Sequence, residues 1–312
     1  MAQNITEKIK NLPFIRQGIL LAQSIKFPWL HGFSLYDLVA LYFTGIIEGA
    51  VTYRASAIAF SFFMALFPFA LFVLNLIPFI PIQGFQEDFM SFLQDSVPPT
   101  TFDAISKTIN DILHNSYQGL LSTGFFMAVF LMANGFNAIL GGFESSHHIV
   151  HKRQFLRQYI VALALSICMA FLLLITVAAI VTFEIFIQKT KLQDVLSDTI
   201  PLIEMGRYLF LLLMILISTS ILFKYGIKRE AHRSFISIGS VFTTILIVLT
   251  SYFFGIWVLK FSKYNQLYGS IGTLLVVMFY IWINCMILLL GFELNAVLNR
   301  FKREKAKKLL EN

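Results

Sequence analysis

Six long stretches of this chain are nearly empty of charge, and the lysines and arginines collect in alternate gaps between them. A helix needs about 20 apolar residues to cross the hydrocarbon core of a bilayer. The stretches at 55–80, 119–141, 158–187, 205–223, 235–259 and 270–297 meet that length and read as six spans. With both termini in the cytoplasm, the inside segments 1–54, 142–157, 224–234 and 298–312 hold 18 of the 24 Lys and Arg residues. Only Lys107, Lys189, Lys191, Arg207, Lys260 and Lys263 then fall at the outer face. Basic flanks are held on the cytoplasmic side during insertion, so this bias sets the orientation. The expected fold is an all-α polytopic protein of the inner (plasma) membrane. A cytoplasmic segment, 1–54, precedes a six-helix domain, 55–297, and a basic cytoplasmic tail, 298–312, follows it.

A hydrophobic fraction of 57% against 13% charged residues excludes a soluble globular domain. The net charge of +7 sits beside the spans, where anionic headgroups attract it, so membrane lipids are the expected partners and nucleic acid is not. Cys168 and Cys285 lie inside spans without a CxxC pair, which encodes neither a disulfide framework nor a zinc ribbon. Ile19–Leu21 is too short an apolar run for a signal peptide, so the first span is expected to direct insertion. The chain carries no GxxxxGKS/T phosphate loop, GxGxxG fingerprint or GxSxG elbow, and no cofactor is expected.

Residues 34–52 alternate with helical spacing. Tyr36, Val39, Ala40, Phe43, Ile46, Ile47 and Ala50 share one face, as in a helix lying in the interface plane or packed on the bundle's inner end. The loop 81–118 is acidic. Phe85, Phe89, Phe92 and Leu93 predict one amphipathic helix there, and Phe102, Ile105, Ile109, Ile112 and Leu113 a second. Val97-Pro98-Pro99 separates them, which predicts an outer helical hairpin. No internal repeat of the inverted kind is visible.

Polar side chains inside a bilayer are the default site candidates, because lipid gives them no hydrogen-bond partner. The first span offers Ser61, Pro68 and Asn75, and Pro68 removes a backbone hydrogen bond in mid-span. The second offers Asn134 and Asn137, the fifth Ser251, the sixth Tyr280 and Asn284. Such rows either line a path for a substrate or let membrane helices pack closely and bond to one another. Asn75, Asn134, Tyr280 and Asn284 are expected to face the bundle interior. Arg54 opens the first span and Glu293 closes the sixth, which puts both at the cytoplasmic boundary and suits a buried ion pair, an inner latch. Glu144, His148 and His151 share a helical face at metal-ligand spacing, but no complete metal signature accompanies them and no metal is expected.

The first span reads Arg54-Ala-Ser-Ala-Ile-Ala-Phe-Ser-Phe-Phe-Met-Ala-Leu-Phe-Pro68. The last combines Tyr268-Gly269-Ser270-Ile-Gly272, Trp282 and Leu290-Gly291-Phe-Glu293-Leu-Asn295-Ala296. Over about 35–300 these segments resemble the YihY/BrkB family of bacterial inner-membrane proteins, once labelled ribonuclease BN. The resemblance implies six spans and a plasma-membrane location, and it brings no settled activity. The function expected is a non-enzymatic one, a transporter, exporter or lipid-handling permease for a small molecule or lipid. The alternative is a non-catalytic envelope scaffold or assembly factor. A ribonuclease is disfavoured, because the clustered carboxylates fall on the side away from cytoplasmic RNA.

Overall fold

The computed structural model describes residues 50–77, 84–96, 118–146, 153–190, 202–228, 234–260 and 270–311, with isolated positions between them. Seven helices are defined there: α1 (Val51–Leu76), α2 (Phe85–Ser96), α3 (Gln118–Glu144), α4 (Phe155–Thr190), α5 (Leu202–Tyr225), α6 (Ile238–Lys260) and α7 (Ser270–Glu311). By length and composition α4, α5, α6 and α7 can each cross a membrane. The other two long helices, α1 with 26 residues and α3 with 27, also exceed the roughly 20 needed. Helix α1 continues through Pro68. Helix α7 runs past the apolar stretch to Glu311, because Arg300–Leu310 is rich in Arg, Lys, Ala, Glu and Leu, all strong helix formers. Most of the expected interfacial helix at 34–52 lies outside the described residues.

The long helices form a ring. α1 packs on α3, α3 on α4, α4 on α5, α5 on α6, α6 on α7, and α7 returns to α1. The chain reverses direction at each step, so Arg54, Glu144, Arg153, Lys224 and Glu293 gather at one end, the basic end. Helix α2 marks the opposite end, termed the hairpin end after the expected hairpin, whose second helix lies mostly outside the described residues.

Taken as halves α1–α4 and α5–α7, termed lobes below, the ring packs as closely across its α1–α7 and α4–α5 seams as within its second half. The largest core lies toward the basic end and draws on both lobes. Val51, Ala55 and Ile58 of α1 meet Phe136, Leu140 and Phe143 of α3, Phe223 of α5, and Leu289 and Phe292 of α7. At the hairpin end the core belongs to the first lobe: Phe85 and Phe89 of α2 pack with Ile77, Leu113, Leu174 and Val181. Among the described residues it takes nothing from α5, α6 or α7. Phe85 and Phe89 thus point inward as their spacing predicts, while Glu87, Ser91 and Gln94 stay exposed.

Candidate functional site

The basic end carries a layer of polar groups outside a layer of aromatic rings. In the ring layer Phe143 stacks on Phe292 with centroids 4.2 Å apart, and Phe223 meets both edge-on at 5.7 and 6.0 Å. These rings come from α3, α5 and α7, so they plug the ring across the two lobes.

The polar layer centres on Glu293 of α7. The Arg54 Nη2 donates to Glu293 Oε1 at 2.6 Å, and the Ser146 hydroxyl donates to Oε2 at 2.7 Å. Arg54 Nη1 donates to the Gly142 carbonyl at 2.9 Å, while its buried Nε meets no partner. One carboxylate therefore binds the start of α1 to the end of α3. A charge taken out of water needs this kind of compensation.

Arg153 makes the second tie between lobes. It precedes α4 and donates to the carbonyls of Tyr225 and Gly226 at 2.9 Å each and of Ile227 at 2.5 Å. The last carbonyls of a helix lack intrahelical partners, and a guanidinium there meets both the orphan acceptors and the negative end of the dipole. Burial holds the Arg153 guanidinium below its ordinary pKa, and the Glu144 carboxylate opposes that shift. Buried Glu144 also accepts the Arg153 backbone N–H at 3.3 Å.

The Gly291-x-Glu293-x-Asn295 run explains itself residue by residue. Gly291 lets α6 approach so closely that an added Cβ would sit 1.7 Å from the Thr243 hydroxyl and 3.0 Å from the Gly239 carbonyl. Asn295 clamps the start of α6: its Oδ1 accepts the Gly239 N–H at 2.9 Å and its Nδ2 donates to the Ser237 hydroxyl at 2.8 Å. Ser237 and Ser240 bond each other's N–H groups reciprocally, as in a capping box. Trp282 donates to the Ser56 hydroxyl at 3.0 Å, a further link from α7 to α1.

The other candidates scatter. Tyr280 bonds Ser251 of α6 at 2.6 Å, and Asn284 donates to the Tyr280 carbonyl at 2.8 Å. Ser61 and Pro68 are half-buried on α1, with the Ser61 backbone against Gly135. Half-buried Asn137 lies beside Gln158 of α4. Asn134 corrects the expectation of an interior position, because it is exposed. The face of α3 pressed on its neighbours is the row Met132, Gly135, Ile139 and Gly142. The small Gly135 admits Ala65, which turns Asn134 away. The side chains of Asn75 and Ser270, the burial of Gly272, and all of Tyr268, Gly269, His148 and His151, lie outside the described residues. Among those described, no three His, Cys, Asp or Glu side chains group as a metal site.

At the hairpin end Arg207 of α5 pairs with Glu184 of α4 and lies over the Phe92 ring at 5.6 Å. The α4–α5 seam is thus tied at both ends of the bundle.

Sequence reading missed Ser146, Arg153 and Ser237. Arg153 counted only as loop charge. Ser237 carried the one usable signal, a Ser just before an apolar helical run.

No solved structure matches the chain. The ribonuclease-like protein YfkH of Bacillus subtilis is 27% identical over 257 residues, 80% of this chain and 90% of that protein. A UPF0761 membrane protein of Coxiella burnetii is 25% identical over 272 residues, 85% of this chain and 94% of its own length. A UPF0761 membrane protein of Alteromonas mediterranea is 20% identical over 284 residues, covering 88% and 92%. The match to the virulence factor BrkB family spans residues 42–311, so this membrane protein belongs to that family.

Proposed function

We propose that this chain is a non-enzymatic six-span permease of the plasma membrane that moves a small molecule or lipid by alternating access between its two lobes. The observation that carries the reading is where the lobes are tied. Arg54–Glu293, Arg153 on the α5 carbonyls, and the shared aromatic layer all lie at the basic end. At the hairpin end the described core belongs to the first lobe, and the cross-lobe ion pair there stands on the α4–α5 seam. That arrangement suits a hinge at α4–α5 and a latch at α1–α7, closed toward the cytoplasm. Glu144 and Glu293, the two basic-end carboxylates described above, are committed to arginine and serine partners. The ribonuclease wording on the Bacillus relative therefore contributes no reaction to this reading.

Paired spin labels test it in the full chain reconstituted in nanodiscs. One pair, at Ser145 and Lys228, spans the basic end; the other, at Lys107 and Leu274, spans the hairpin end. Alternating access requires Glu293→Gln to lengthen the first distance and shorten the second. One unchanged distance distribution at both ends refutes it. A rigid scaffold is the second reading. It is favoured by Tyr280, whose hydroxyl bonds Ser251 across the α6–α7 seam, and by Asn284, which bonds the Tyr280 carbonyl within α7.

A further inference from the structure

A cavity of about 290 Å³ opens at the basic end of the second lobe, between the end of α5, the start of α6 and the late turns of α7. Its polar lining comes from Lys224, Ser234, Ser237, Asn295 and Asn299. Phe223, Phe235, Ile236 and Leu298 supply apolar wall. The Arg54–Glu293 pair and Arg153 lie outside this lining.

Lys224 is the unusual member. It is half-buried, and its ammonium lies 5.6 Å from the Tyr225 ring centre and 5.4 Å from that of Phe235. Faces of aromatic rings attract a cation without neutralising it. No carboxylate of a described residue pairs with it. A lysine in the last turn of a helix ordinarily serves the terminal carbonyls. Here Arg153 already takes the carbonyl of Tyr225 at the helix end and those of Gly226 and Ile227 just beyond it, so among the described residues Lys224 has only ring faces beside its charge. The rim is apolar as well: Tyr225, Phe235 and Ile236 are exposed. Apolar side chains around a cationic cavity suit the boundary between headgroups and acyl chains.

We infer that this cavity binds a phosphate-bearing anion, with Lys224 as its charge partner and Ser234 and Asn299 as neutral donors. The ligand chemistry is a phosphate group, whether on a lipid headgroup or free in solution. The site stands independently of the transport reading, since a scaffold could hold the same lipid.

Native mass spectrometry of the full chain in detergent tests this with two probes, dioleoyl phosphatidylglycerol and inorganic phosphate. Wild type should retain phosphatidylglycerol, and Lys224→Gln should weaken retention about fivefold, the share of affinity that one partly exposed charge pair supplies. Lys228→Gln, which removes an equal charge from an exposed neighbour, should leave it unchanged. Ser234→Trp keeps Lys224 but fills the cavity, so it guards against a folding defect in the first variant and should weaken retention as much. Protection of phosphatidylglycerol binding in excess inorganic phosphate assigns the site to lipid; competition assigns it to the free anion. Equal weakening by Lys224→Gln and Lys228→Gln overturns the inference, as does undiminished binding to Ser234→Trp.

Discussion

Glu293→Gln should destabilise this protein more than the double change Arg54→Gln with Glu293→Gln. Arg54 and Glu293 keep little exposure, 11% and 14% of their side chains, and stand 2.6 Å apart. Removing one member of a buried pair typically costs about 3–5 kcal/mol, because the other charge stays behind uncompensated. Two features lower that figure here. The residual exposure admits some water, and a glutamine oxygen can still accept the bond from Arg54 while its amide donates to a turned Ser146 hydroxyl. About 2–3 kcal/mol is then left, most of it the stranded guanidinium. That guanidinium keeps only neutral acceptors, the Gly142 carbonyl and the glutamine oxygen, and its Nε already lacks a partner. One kcal/mol moves Tm by roughly 2–4 °C in a domain of about 150–250 residues, so Glu293→Gln should melt roughly 5–10 °C below wild type. Replacing Arg54 as well removes the stranded charge, and the double variant should recover part of the loss. Thermal unfolding of all four proteins in one detergent closes the cycle. Additive single effects would refute the argument, since they would make the pair two side chains reaching water independently.

Four further outcomes follow from the same geometry. Asn295→Leu should lose about 1–2 kcal/mol by uncapping α6, and hydrogen exchange should rise first at Gly239 and Ser240; uniform exchange across α6 counts against the clamp. Gly291→Ala should lose about 1–3 kcal/mol through collision with the Thr243 hydroxyl, and adding Thr243→Ala should restore part of it; no recovery in the double variant rejects the collision as the cause. Arg153→Ala should destabilise by about 2–3 kcal/mol, with Arg153→Lys recovering little, because a point ammonium cannot meet three carbonyls as the planar fork does; full recovery by lysine contradicts this. In a variant lacking Cys168 and Cys285, Asp95→Cys should react with an impermeant thiol reagent from outside only; labelling from the cytoplasm overturns the orientation.

The helices were legible because each apolar run is a local property of the chain, readable by length alone. So was the Arg54–Glu293 pair, since two charges at one depth in a low dielectric have few other solutions. Which helix sits beside which is not local, and the grouping of α1–α4 against α5–α7 leaves no mark on any single run. Asn134 was misplaced because polar residues were used to choose the inner face of α3. Helix approach is decided by bulk, and Gly135 and Gly142 are the smallest residues on that helix's contact row. Asn295 was visible as a mark of resemblance, but one of its partners is a backbone N–H 56 residues earlier, which side-chain pattern does not encode.

The Arg54–Glu293 pair also bears on how the protein is made. Arg54 and Glu293 lie 239 residues apart, so α1 enters the membrane long before its counter-charge exists. At about 5–20 residues per second, translation needs roughly 10–50 s to supply it. Through that interval Arg54 must stay near water, which its place at the start of α1 allows. Only the arrival of α7 lets the guanidinium sink into the bundle. A nascent chain halted before α7 keeps an unmatched arginine at the membrane surface, a chemical mark by which quality-control proteases can tell unfinished molecules from finished ones.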